Sequence, residues 1–291
     1  MREESREEGA VADRCGVPRH LLGLHEFEDR GEMMATHEFV EAFDGMEADF
    51  EAEEVEPFHQ GDFFVSVHFR NLWAVVNNAG VNTMCGPDDW CTLDDYKNSF
   101  EVNTLGAIRI CHTFKPLIKK SKGRFVTMIS TAGKVALPFA GPYNASKFAL
   151  EAYMDTLRLE MACFAVKCCV LEPSAYSTPF LHEGASNHRI NIAWIKTPPE
   201  IQDEYGFEAK ENFKKKFNEM MQKHSSKRIY QVTKAYVHAI SAKYPCIRYR
   251  CGFAAKFQLL PLSYLPDEIR DFVIQMFAMC GLDDAVRKCL D

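Results

Sequence analysis

The sequence predicts an α/β protein built on a parallel sheet, and three observations carry that prediction. Short apolar runs that read as strands recur at 73–77, 124–130 and 165–171. The intervals at about 92–120 and 142–163 hold helical periodicity instead. Each strand stops at a loop of Asn, Gly, Ser or Pro, so strand and helix alternate as in a parallel sheet with crossover helices.

Taken in order, Trp73-Ala-Val-Val-Asn77 is a buried strand that ends in Asn-Asn-Ala-Gly80. Thr92-Leu-Asp-Asp95 has the form of a capping box and opens a helix toward Lys120. After the turn at Gly123 comes the strand Arg124–Ser130, and Pro142 suits the first turn of a helix reaching about Cys163. Ala165 to Leu171 is a further buried strand, stopping at Glu172-Pro173. Upstream, Phe63, Val65, Val67 and Phe69 alternate like a strand, and residues 33–55 read as an acidic helix with one weak apolar stripe. Downstream, a mixed segment to about Pro199 precedes helical patterns at 201–224 and 229–243. The apolar stretch from Phe253 to Met276 is broken by Pro261 and Pro266, which argues against a spanning helix. Core segment, oligomer contact, wall of a lipophilic pocket and peripheral membrane contact all stay open for it.

Composition excludes several classes. The chain has 291 residues, 47% hydrophobic and 26% charged, enough for a sizeable core. The highly charged start, MREESREEGA, does not read as a secretory signal. Eleven cysteines without a C-x-x-C pair support neither a disulfide scaffold nor a zinc ribbon, so an intracellular chain with no metal is expected. Residues 1–60 hold 5 basic and 18 acidic side chains; residues 61–291 hold 29 and 23. That asymmetry divides the chain into an acidic N-terminal segment, 1–60, and a remainder, 61–291, with a different role. The mild basic excess of the second part is too weak to indicate a nucleic-acid partner.

The chemistry is concentrated at Tyr143-Asn-Ala-Ser-Lys147. On a helix, residues i and i+4 share a face, so the phenol and the ammonium lie one turn apart. A phenol near pKa ~10 exchanges protons poorly at neutral pH, and each unit of downward shift represents about 1.4 kcal/mol of differential stabilisation. A neighbouring ammonium supplies that shift and makes tyrosine a general acid/base. Ser130, at a strand end thirteen residues earlier, can polarise a substrate oxygen. Asn103, inside the preceding helical pattern, can interrupt the helix and hold a water for a proton relay. With Asn77–Gly80 and Glu172–Thr178, these residues would gather at the carboxyl edge of the sheet, where open α/β folds bind ligands.

These pieces, in this order, resemble the classical short-chain dehydrogenase/reductase family over about residues 72–291. Ser130-Thr-Ala-Gly-Lys-Val135 and Leu260-Pro-Leu-Ser-Tyr-Leu-Pro266 are similar to its retinol/hydroxysteroid dehydrogenase branch. The resemblance implies a Rossmann-like, doubly wound parallel sheet, incomplete here in its N-terminal half. It also implies reversible hydride transfer between NAD or NADP and a lipophilic alcohol or carbonyl. Tyr143 would be the acid/base; Lys147 would lower its pKa and hold the nicotinamide ribose; Ser130 would orient the substrate; Asn103 would support the relay. Asn77, Ala79 and Gly80 would flank the cofactor, with Pro173, Ser174 and Thr178 beside the nicotinamide. The branch further implies association with the endoplasmic reticulum, so a cytoplasmic and a peripheral membrane location both stay open, as does a homodimer.

One element of the family is missing. Its glycine-rich turn, T-G-x-x-x-G-x-G, lets backbone approach a pyrophosphate at a helix N-terminus. Gly9, Gly16, Gly23, Gly31, Gly45 and Gly61 have no such spacing. Three readings follow: a truncated or alternatively spliced chain whose acidic segment replaces the first βαβαβ half; a folded, non-catalytic lipid- or partner-binding protein; or an unconventional cofactor site.

Overall fold

The structure, a computed structural model, describes residues 72–279. The strand expected at 63–69 and the helix expected at 33–55 lie outside the described residues. Within them, four strands form one parallel sheet in the order β1 Ala74–Asn77, β2 Arg124–Met128, β3 Lys167–Pro173, β4 Arg248–Cys251. Pairing aligns Ala74 with Arg124 and Arg124 with Lys167, so the three predicted strands start level, while β3 runs two residues beyond the end of β2.

The long helical pattern after Thr92 is real but divided. Helix α1, Leu93–Phe100, starts from a complete capping box, with Thr92 and Asp95 bonded reciprocally. A π-helical turn, Glu101–Gly106, joins it to α2, Ala107–Ser121. Helix α3, Gly141–Met161, opens on Pro142, whose missing N–H needs no partner in a first turn. Helices α2 and α3 cover one face of the sheet. On the other lies a later helix, α7, Tyr230–Ser241, where Ala239, Ala235 and Val232 meet Val126, Cys169 and Leu171. Strands covered on both faces become the continuous apolar runs seen in the sequence. Strand β1 departs from that expectation. All four of its residues are half-buried rather than buried.

Three elements differ from the sequence reading. The segment taken as mixed contains helix α4, Glu183–Lys196. The pattern at 201–224 is two helices, α5 Pro199–Tyr205 and α6 Phe207–His224, parted by Gly206 at φ 81°. That left-handed backbone ends one helix and admits glycine without strain. Strand β4 was not foreseen. The C-terminal stretch forms a π turn at Ala255–Leu259 and helix α8, Asp267–Met279.

A second apolar cluster sits apart from the sheet. Trp90 contacts Trp194, Tyr205 and Phe213 edge-on at 5.0, 5.5 and 5.7 Å, an arrangement matching ring edge to ring face. It locks α4, α5 and α6 to the loop that follows β1.

Candidate active site

The segments that follow β1, β2 and β3, with helix α3 and the π turn, build the site. Ser130 follows β2 and caps a short turn, its hydroxyl accepting from the Ala132 N–H at 3.2 Å and donating to the Pro173 carbonyl at 3.5 Å. That second bond ties the ends of β2 and β3. On α3, Lys147 is 2% exposed, and its ammonium donates to the Met128 carbonyl at 3.2 Å. It stands 5.7 Å from the centre of the Tyr143 ring. Tyr143 is half-buried, and Ser130 hydrogen-bonds its hydroxyl.

Burial dominates the electrostatics here. Desolvation pushes the Tyr143 phenol above its ordinary range, and the Ser130 hydrogen bond offsets only part of the rise. The same desolvation lowers Lys147 to about 8. The sequence expectation, a tyrosine lowered by its lysine, is therefore not the balance struck in this site. Both groups are pushed toward their neutral forms.

Asn103 shows how the π turn serves the site. Its side chain pairs with both backbone groups of Val81, accepting from the N–H at 2.7 Å and donating to the carbonyl at 2.9 Å. It also donates to Ser146 on α3 at 2.9 Å, and is 1% exposed. A π turn carries one extra residue, which re-aims a side chain that a regular helix would stack along its own face. Asn103 thus pins the strand-end loop to the helix bearing Tyr143 and Lys147.

Gly80 completes the floor. A Cβ at this position would stand 3.3 Å from both Lys147 Nζ and Asn103 Oδ1. Ala79, beside it, is exposed. Asn77 points elsewhere: its amide donates to Cys111 Sγ and Thr127 Oγ1, both at 3.3 Å. Ser174 sits without a positive φ, so its side chain is accommodated without strain. Its N–H reaches the Cys251 carbonyl at 3.4 Å, while Thr178 caps the next turn and donates to the Tyr176 carbonyl at 3.5 Å.

Two residues near the site were not foreseen. Tyr236 of α7 donates to Asn78 Oδ1 at 2.8 Å, and Phe180 lies 6.1 Å from the Tyr143 ring. Neither carries a motif; both are aromatic side chains placed by long-range packing.

A model of the short chain dehydrogenase family matches residues 35–189, beginning within the acidic segment. A 3beta-hydroxysteroid dehydrogenase, dhs-16, of Caenorhabditis elegans is 43% identical over 70% of this chain and 52% of its own. The short-chain dehydrogenase/reductase family 9C member 7 of Mus musculus is 38% identical, over 72% and 66% respectively. Retinol dehydrogenase 16 of Mus musculus is 36% identical, over 70% and 64%. The chain spans between about half and two thirds of the length of these relatives. Matched by the family model over more than half its length, and carrying the family's spaced residues, this chain belongs to the short-chain dehydrogenase family.

Proposed function

We propose that the protein interconverts a lipophilic alcohol, of retinoid or steroid type, and its carbonyl with NAD or NADP. The observation that supports this best is the convergence of Ser130, Tyr143 and Lys147 on the floor made by Gly80 and Asn103. The fit to a cofactor is tested by that floor. At Gly80 a methyl group would crowd the Lys147 ammonium, and Lys147 is held by a single carbonyl, so donors remain for a ribose hydroxyl. A bound nicotinamide supplies the hydride acceptor or donor. Tyr143 gives a proton to the carbonyl oxygen or takes one from the alcohol; Ser130 donates to the same oxygen; Lys147 steadies the charge on Tyr143.

The named relatives support the substrate class, and the exposed aromatic side chains of the C-terminal region suit an apolar ligand's entrance. Phe253, Phe257, Tyr264 and Phe272 are all exposed there. Among the described residues no helix is long and apolar enough to cross a membrane. Peripheral contact with a membrane such as the endoplasmic reticulum, and a homodimer, fit the same exposed surface. A second reading, a non-catalytic lipid-binding protein, is favoured by the glycine spacing before residue 72, which provides no recognisable phosphate loop.

Titration of the purified chain with NADH and NADPH, followed by fluorescence, separates the two. Micromolar binding, with alcohol oxidation abolished in Tyr143→Phe, is expected. A folded, monodisperse protein that binds neither nucleotide overturns the enzyme reading and leaves the lipid-binding one.

A further inference from the structure

We infer that Phe139 is a positioning residue for Tyr143: a strained turn, held by the ring and the carbonyl of Phe139, sets where the phenol stands against Ser130 and Lys147. The inference rests on the reading of Tyr143 as the acid/base.

Of the described residues other than glycine, Lys122, Phe139 and Ala165 have positive φ, at 51°, 69° and 58°. Lys122 and Ala165 each end a helical turn, where the left-handed conformation satisfies the last carbonyls. Phe139 ends none. It precedes α3, and in that conformation its Cβ is crowded by the carbonyl that follows. Such a turn persists only where its surroundings hold it.

Two contacts do so. The Phe139 carbonyl accepts the Gly86 N–H at 3.1 Å, which ties the turn to the loop after β1. The half-buried ring meets Phe213 of α6 edge-on at 5.1 Å and packs against the aromatic cluster around Trp90.

Tyr143 stands in the first turn of α3, and that turn has no side-chain cap at Ala140. A helix start without a cap depends on the chain that leads into it. Here the two are fastened together: Asn144 Nδ2 donates to the Leu137 carbonyl at 2.6 Å, and the Asn144 N–H to the Ala140 carbonyl at 2.8 Å. Lys147, one turn on, is fixed by burial and by its bond to the Met128 carbonyl. Ser130 is fixed by the ends of β2 and β3. Of the three, Tyr143 is the one whose backbone the 137–140 turn leads into. Phe139 thus acts through the helix start, and displacing it moves the phenol against partners that stay in place.

The first test needs no turnover. It is fluorine NMR of protein carrying fluorotyrosine, with the Tyr143 resonance assigned by its loss in Tyr143→Phe. Phe139→Gly admits the left-handed backbone freely but gives up the ring. In that variant the Tyr143 resonance is expected to shift, while those of Tyr153, later on α3, and Tyr249, on β4, hold still. Phe139→Tyr keeps the ring, so it should add one resonance and leave that of Tyr143 in place. The second test is reduction of a retinoid or steroid carbonyl with NADH or NADPH. For Phe139→Gly, kcat should fall about ten- to a hundredfold, the loss that a displacement of about 1 Å brings, with KM within about threefold. Phe139→Tyr should restore kcat. An unmoved Tyr143 resonance in Phe139→Gly overturns the inference. So does an equal shift of all three tyrosines, which would make Phe139 only a support of the fold, and so does a loss confined to KM. If Phe139→Gly does not fold, Phe213→Leu, which removes the partner ring, takes its place with the same expected and refuting results. A wild type without turnover, combined with the expected shift, sinks the dehydrogenase reading and leaves the positioning one; turnover with an unmoved resonance shows the reverse.

Discussion

Arg248 is the residue whose removal should cost this fold most. One guanidinium on β4 meets Glu172 of β3 at 2.6 Å, Glu151 of α3, and both oxygens of Asp155 at 2.7 Å. The Glu172 side chain is 1% exposed and that of Glu151 6%. Lys134, just beyond Ser130, is the other cation on Glu151, at 2.8 Å. In Arg248→Met the close pair on Glu172 is broken, leaving a buried carboxylate with only Arg250 Nε beside it, at 3.9 Å, and about 3–5 kcal/mol is the usual penalty for breaking such a buried pair. The arginine side chain keeps 22% exposure and Asp155 37%, so the lower half of that range is expected. Urea unfolding should show the midpoint falling with an unchanged slope. Burial already holds Glu172 above its reference value of 4.5, and losing Arg248 raises it further. A carboxylate raised in the folded state binds more protons folded than unfolded, so stability declines as pH climbs from 4.5 to the folded pKa. The variant should therefore lose more against wild type at pH 7 than at pH 5. A loss below about 1 kcal/mol at pH 7, or a loss independent of pH, would refute this account of the network.

Other outcomes follow from the candidate site. Lys147→Met should unfold at higher urea concentration than wild type, by about 1–3 kcal/mol, because a buried ammonium with lowered pKa is removed; lower stability would show that its bond to Met128 matters more. Between about pH 8 and 10.5 the wild type should gain stability relative to Lys147→Met, since over that window only the unfolded lysine still holds its proton. Gly80→Ala should weaken NADH binding and cost about 1–3 kcal/mol of stability, because its methyl meets Lys147 Nζ and Asn103 Oδ1, both buried and hydrogen-bonded, at 3.3 Å; unaltered binding would separate Gly80 from the cofactor. Asn103→Leu should cost about 2–4 kcal/mol in chemical unfolding, leaving the Val81 N–H and carbonyl without partners.

The sheet and its first helices were legible because their signals are local. Val75 and Val76, the Thr92–Asp95 box and Pro142 each act within a few residues; the first strand ended at Asn77 as predicted, while β2 stops at Met128 rather than Ser130 and β3 runs on to Pro173 rather than ending at Leu171. Helix α4 was hidden because its buried stripe, Ser186, Ile190, Ala193 and Trp194, is diluted by two small residues. Strand β4, Arg-Tyr-Arg-Cys, looks solvated in sequence; its first arginine is neutralised by acids 76 and 97 residues away. The helical placement of Asn103 was read, but not its contacts. Pairing with Val81 depends on a π turn, and no spacing rule anticipates one. Asn77 misled for a related reason: its motif marks the strand end, yet its own amide is spent on Cys111 and Thr127.

The electrostatics bear on the direction of catalysis. A tyrosine raised by burial keeps its proton at neutral pH, and a lysine near 8 is easily discharged. In that state Tyr143 is ready to act as an acid, which is what carbonyl reduction asks of it. Alcohol oxidation asks for the phenolate, and a phenolate here must be stabilised by the Lys147 ammonium and the Ser130 hydroxyl against the same desolvation. Burial opposes both charges and shifts each group toward its neutral form. The isolated motif suggests a lysine that depresses a tyrosine. In the folded site burial outweighs that effect, and the hydrogen bond of Ser130 to the Pro173 carbonyl links the site to the end of β3 and so, through Glu172, to the carboxylate network around Arg248.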